Sequence, residues 1–178
     1  MDIIEIIAQC IGILGIATFI VMYQFSDMKS IRKAKLCMDV FWGVHYLLLG
    51  ATAGFVANAV CFVRELVFIR SDRPGFHGKT WLCIFVSINI VSAILKWEGM
   101  YSCLPAIVSV FGTYGFWQKN VSRARWIAML CNILMFTYDI FIASYAGLIG
   151  ETLAFISVVI AMSRSKKQYK INKNSQVR

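Results

Sequence analysis

Two apolar segments, Leu36 to Leu49 and Phe55 to Ile69, hold Asp39, His45, Tyr46, Asn58, Arg64 and Glu65 between them. A charge at the centre of a bilayer costs roughly 2.5–3.5 kcal/mol on insertion scales, so such residues need partners or a function. A second set, Asn132, Tyr138, Asp139 and Glu151, sits in a similar setting near the C-terminus. The chemistry open to these groups is proton carriage, ion pairing and recognition of a small polar solute. Bond-making signatures are absent: there is no Gly-x-Ser-x-Gly, no His-Glu-x-x-His, no phosphate-cradling glycine loop and no Cys/His cluster. No enzyme activity, metal or cofactor is therefore expected.

Each candidate has a structural reading beside its functional one. Asp39 either binds a substrate or a proton, or forms a structural ion pair with Arg64, whose guanidinium offers five donors. His45 is either a proton carrier or a hydrogen-bond donor between helices. In spans five to seven no basic residue can neutralise Asp139 or Glu151. Those acids suit proton-coupled exchange, or else stay neutral and hydrogen-bond to Tyr138 or Tyr145. Trp42 lies away from the span ends that tryptophans favour and has a face on which a ring could stack.

These residues must be positioned by helices that cross a membrane. Hydrophobic residues make up 59% of the 178 positions and charged residues 15%, with a mean hydropathy of +0.68. A soluble domain typically has about 25% charged residues. The excess apolar residues lie in long blocks, and each span needs about 20 of them. The fold class is thus an all-α membrane protein. The six cysteines are scattered along the apolar segments, form no Cys-x-x-Cys, and read as small apolar fillers. The first apolar run has no basic leader and no small-residue cleavage site, so no cleavable signal is expected.

In chain order, span one runs from Ile3 to Phe25, and a basic loop with Lys29, Arg32, Lys33 and Lys35 follows. Span two covers Leu36 to Leu49, Gly50 to Ala53 turns the chain, and span three reaches Ile69. Arg70 to Lys79 is the clearest loop signal. Spans four and five are Trp81 to Ile94 and Met100 to Trp117, and a second basic loop holds Lys119, Arg123 and Arg125. Span six is Trp126 to Ser144, Tyr145-Ala146 turns, and span seven runs from Gly147 to Met162. The basic tail is expected to be disordered beyond the helix end.

Seven spans place sixteen of the eighteen lysines and arginines on one side. By the positive-inside rule that side is cytoplasmic, which puts the N-terminus outside and the C-terminus in the cytoplasm of a bacterial inner membrane. Anionic lipid headgroups account for the net charge of +9, so no nucleic-acid partner is implied. A homo-oligomer remains open.

The chain overlays on itself at an offset of 93 residues with no gap from Ala8 to Arg73. Cys10 meets Cys103, Arg32 meets Arg125, Asp39 meets Asn132, Tyr46 meets Asp139 and Asn58 meets Glu151. Four crossings separate the copies, an even number, so two three-helix units point the same way around a linker helix. The plan is 3+1+3: residues 1–70, a loop and linker at 71–99, residues 100–163, and a tail at 164–178. Residues at i, i+3/4 and i+7 share a helix face. That brings Asp39, Tyr46, Asn58, Asn132, Asp139 and Glu151 toward one central cavity, with Trp42, His45 and Tyr138 as further lining residues and Gly12 and Pro105 as equivalent flexible points.

Gly43-Val44-His45-Tyr46-Leu47-Leu48-Leu49-Gly50, followed by Arg64 and the Leu66-to-Arg70 run, resembles the YgjV-type bacterial inner membrane protein family. Gly147 and Glu151 fall where that family's Gly and Glu are expected, while Tyr138-Asp139 departs from its His-Asn. More distantly, the 3+1+3 plan is similar to the SWEET, PQ-loop and PnuC-type transporters. No Pro-Gln dipeptide is present: Pro105 stands alone and its repeat partner is Gly12. The resemblance implies transport of a small solute by analogy of fold. The second reading is a membrane interaction or ligand-sensor subunit that moves nothing.

Overall fold

The computed structural model describes residues 3–50, 52–71, 78–95, 97, 99–141 and 145–176. They form seven α-helices: α1 (Ile3–Met22), α2 (Met28–Leu48), α3 (Thr52–Ile69), α4 (Lys79–Leu95), α5 (Cys103–Trp117), α6 (Val121–Phe141) and α7 (Tyr145–Gln176). A 3₁₀ turn, Met100–Ser102, leads into α5. Three stretches, Ile3–Met22, Val121–Phe141 and Leu148–Lys167, are long and apolar enough to cross a membrane. Much of the loop expected at 70–79, as well as Lys96 and the residues at 142–144, lies outside the described residues.

The two expected basic loops are largely helix. Asp27 caps α2 by accepting the Ser30 N–H at 2.7 Å, and Asn120 accepts the Arg123 N–H at 3.1 Å in the first turn of α6. A side-chain oxygen at such a position satisfies an N–H that has no partner within the helix. That hydrogen bond also holds the exposed Asp27 carboxyl below its ordinary pKa. Arg32, Lys35 and Arg125 are consequently helix residues, and all three are buried. At the far end of α2, Gly50 takes φ +70°, and its N–H donates to the Leu47 carbonyl at 3.1 Å. The left-handed residue ends the helix without a Cβ penalty. The turn is tighter than the sequence suggests, since α3 already begins at Thr52.

Two more expectations fail at helix ends. Tyr145 and Ala146 are the first residues of α7 rather than a turn, and α7 runs on through the basic tail to Gln176. No proline or glycine interrupts residues 151–176, and lysine and glutamine are good helix formers, so the helix outlasts its apolar stretch. Pro105 sits in the first turn of α5, where its missing N–H costs no hydrogen bond. Any flexible point it makes would thus lie at the start of α5.

Within the bundle, α2 packs along both α1 and α3, α6 packs along both α5 and α7, and α4 lies against α5. Smaller contacts, among them α1 with α7 and α3 with α5, join these groups. The distribution of polarity is inverted relative to a soluble domain. Ile3, Ile13, Ile94, Leu95, Met100 and Phe141 are exposed, while Arg32, Lys35, Asp39, Arg64, Glu65 and Arg125 are buried. Phe116 packs against all three buried apolar clusters, so the end of α5 is where the elements meet.

Candidate functional site

Between α1 and α2 on one side and α5, α6 and α7 on the other lies a cavity of about 140 Å³. Its wall is mostly apolar, including Phe19, Met22, Val108, Phe116 and Ile127. The charged and amide groups that reach it are Lys35, Asn132 and Glu151. Oriented to suit its neighbours, the Asn132 amide donates to the Ala128 carbonyl and Glu151 Oε2 and accepts from the Phe155 N–H, each at 3.2 Å. Asn132 and Glu151 also line a second hollow of about 220 Å³ with Phe136, Thr137, Thr152 and Phe155.

Beside the cavity lies a buried ionic cluster from α2 and α3. Lys35 Nζ pairs with Asp39 Oδ1 one helical turn away. Arg64 contacts Glu65 Oε1 through Nη2 at 2.9 Å and Nε at 3.0 Å, and its Nη1 donates to Thr113 Oγ1 at 3.0 Å. The expected Asp39–Arg64 bridge is therefore replaced by two pairs. Each partner lies nearer along its own helix, at i+4 and i+1, and each bond needs no particular register between α2 and α3. Asp39 Oδ2 and Glu65 Oε2 are buried without a hydrogen-bond partner. The Lys35 ammonium and Arg64 guanidinium both approach the Phe116 ring, at 5.7 and 5.4 Å from its centroid.

Two arginines clamp the helices next to residues that line the cavity. Arg32 donates from Nε to the Phe116 carbonyl (2.7 Å), from Nη1 to Phe68 (2.7 Å), and from Nη2 to Trp117 (3.1 Å) and Gln118 (3.0 Å). Arg125 donates from Nη2 to the Tyr23 (2.8 Å) and Phe25 (2.9 Å) carbonyls and from Nη1 to Ala161 (3.4 Å) and Ser165 Oγ (2.6 Å). Each guanidinium thus caps a helix C-terminus, where carbonyls lack intrahelical partners. Phe116 and Tyr23, whose carbonyls are gripped, both line the cavity.

The nine expected cavity residues separate into groups. Asn132 and Glu151 line the cavity, and Asp139 is buried on α6 outside its wall. Asp39 lies just behind the wall, on Lys35. Trp42, His45 and Tyr46 form an aromatic cluster in which Trp42 stacks on Tyr46 at 5.8 Å. That cluster faces α1: the indole packs on Gly15, and His45 Nδ1 bonds the Ala8 carbonyl at 2.7 Å. Asn58 packs against Gly43 of α2, and the Tyr138 ring lies 6.3 Å from that of Tyr101. These residues hold helices together rather than line the cavity.

Gly12, expected as a flexible point, sits inside the unbroken α1 and makes room for His45. A Cβ there would meet His45 Nδ1 at 3.0 Å. Gly12→Val should therefore displace the ring and lower stability by about 1–3 kcal/mol. Thermal unfolding of the purified protein measures the loss, and His45→Ala in the same background should recover part of it. An unchanged melting temperature would show that the ring yields freely.

Reasoning from sequence missed Arg32, Lys35, Arg125, Tyr23 and Phe116 as parts of the site. A signal was present: Arg32, Lys35 and Asp39 are spaced at i, i+3 and i+7, which is one helix face. A helical bundle with an apolar exterior, buried ionisable side chains and a small cavity between its helices is a polytopic membrane protein. The chain belongs to the Imp-YgjV family of bacterial inner membrane proteins, whose family model matches residues 6–169. No curated protein and no solved structure matches it.

Proposed function

We propose that this chain is a small-solute transporter or facilitator, in which two parallel three-helix units, α1–α3 and α5–α7, rock against each other around the central cavity. α4 is the linker of a 3+1+3 plan like that of the SWEET and PnuC-type transporters, and the chain carries no catalytic activity. The basic end of the bundle faces the cytoplasm, as the positive-inside rule requires.

The observation that carries the reading is the equivalence of the two arginine clamps. Shifted by 93 residues, the Arg32 acceptors Phe68, Phe116 and Gln118 become the Arg125 acceptors Ala161, Tyr23 and Phe25. Asp27 and Ser30 become Asn120 and Arg123, the other capping pair. The Arg64–Thr113 contact of α3 with α5 becomes the Ser157–Ile20 contact of α7 with α1. Such agreement is what a pseudo-twofold axis along the membrane normal produces. Each clamp spans the unit boundary, so opening the cavity toward the basic end requires both to release.

Counterflow in proteoliposomes tests the proposal. Saturable, temperature-dependent exchange of a preloaded small solute is expected, and locking the units by a disulfide across the α1–α7 contact should abolish it. Tight binding with no flux for any solute class would instead favour a ligand-sensor subunit.

A further inference from the structure

We propose that the central cavity binds a small organic monocation: an amine seated on Glu151, with an apolar body of about six heavy atoms. The assignment rests on the reading of this cavity as a solute site and adds the class of solute. Glu151 reaches the cavity from α7, and neither ion pair among the described residues involves it. Its one hydrogen bond among the described residues is from Asn132 to Oε2, which leaves Oε1 free to accept.

The other groups around the cavity leave this role open. Lys35, the cation of the opposite wall, is held by Asp39. Tyr23 and Phe116 line the cavity beside the clamps, and Cys131 is directed to the Val108 carbonyl. A carboxylate set in an apolar wall with one amide donor and no countercharge is costly, so a ligand bringing a positive charge recovers that cost. An anion or a second acid would increase it.

Size and shape follow from the walls. A cavity of about 150 Å³ lined by apolar side chains accommodates a benzene-sized molecule, and this one is comparable. Gly112 keeps the space open. It lines the cavity, and a Cβ built on it would meet nothing within 4 Å. A larger residue there should fill the cavity without disturbing its neighbours.

The test uses the full chain purified in detergent, with cyclopentylamine, cyclopentanol and pivalate as matched cationic, neutral and anionic probes. Only the amine should bind saturably by calorimetry and raise the melting temperature, as a ligand specific to the folded state must. Glu151→Gln should weaken amine binding at least tenfold. Gly112→Leu should abolish it while the protein still folds, which keeps the test decisive if the Glu151 variant does not fold. Equal binding of the alcohol or of pivalate, stabilisation by sodium or potassium alone, or amine binding unchanged in both variants would overturn the proposal. An amine that binds but never exchanges would sink the transport reading and leave the site standing. Counterflow of other solutes without amine binding would do the reverse.

Discussion

Replacing Arg64 with methionine is expected to cost the fold about 3–5 kcal/mol, because the change strands the Glu65 carboxylate in the interior. Glu65 is completely buried, and both of its contacts with Arg64 fall on Oε1 while Oε2 has no partner. Removing the cation therefore removes all the compensation that the carboxylate has at hydrogen-bonding distance. The reciprocal expectation has the opposite sign. The double variant Arg64→Met/Glu65→Leu should be as stable as the wild type or more stable by up to about 4 kcal/mol, since apolar side chains of similar size often replace a buried pair without loss. Chemical unfolding in detergent of the wild type, the single variant and the double variant measures both quantities. A single variant within about 1 kcal/mol of wild type, the size of an exposed pair, would show that water reaches Glu65. A stable double variant that no longer exchanges solute would assign the pair to function rather than to folding.

The second large effect is at the clamps. Arg125→Ala removes five hydrogen bonds to Tyr23, Phe25, Ala161 and Ser165, and should destabilise the protein by about 3 kcal/mol, given what charged donors to buried acceptors are worth. Arg32→Ala should cost a similar amount, since it frees the carbonyls of Phe68, Phe116, Trp117 and Gln118. Lysine should restore little at either position, because an ammonium cannot present the guanidinium's planar fork to several carbonyls at once. For Arg125 the partners are carbonyl and hydroxyl dipoles, so the loss should barely change between low and high salt. Melting curves at two ionic strengths check this. A loss that disappears in high salt would mean that Arg125 acts as a surface charge.

Much of the fold is legible because long apolar blocks and glycine turns set the number and order of helices. The fine placement is harder to read. Arg32 and Arg125 look like loop residues because a positive-inside count treats every basic residue near a span end as solvated. Their burial depends on helix ends of other elements, Trp117 and Met22, that carry no signal in the local sequence. The Asp39–Arg64 bridge was a reasonable expectation, since two opposite charges in neighbouring spans attract. Whether Arg64 of α3 comes level with Asp39 of α2 depends on an axial register that the sequence does not contain, whereas Lys35 and Glu65 lie within reach along the same helices. Asn132 and Glu151 could be found because their polarity stands alone among apolar neighbours. Lys35 carries only the weaker signal of sharing a helix face with Arg32 and Asp39, which matters once α2 is known to begin at Met28 rather than at Leu36. His45 and Trp42 show the converse, where conspicuous residue types serve packing against the two small residues Gly12 and Gly15.

The length of α7 has a mechanical consequence. Arg125 grips this helix at Ala161, and the rod continues fifteen residues beyond, to Gln176. At 1.5 Å per residue that arm is about 22 Å long, so a tilt of roughly 10° about the grip swings its tip by about 4 Å. Rearrangements too small to resolve around the fulcrum would be magnified at the free end. A fluorophore or spin label attached there would work as a pointer for motions deep in the bilayer.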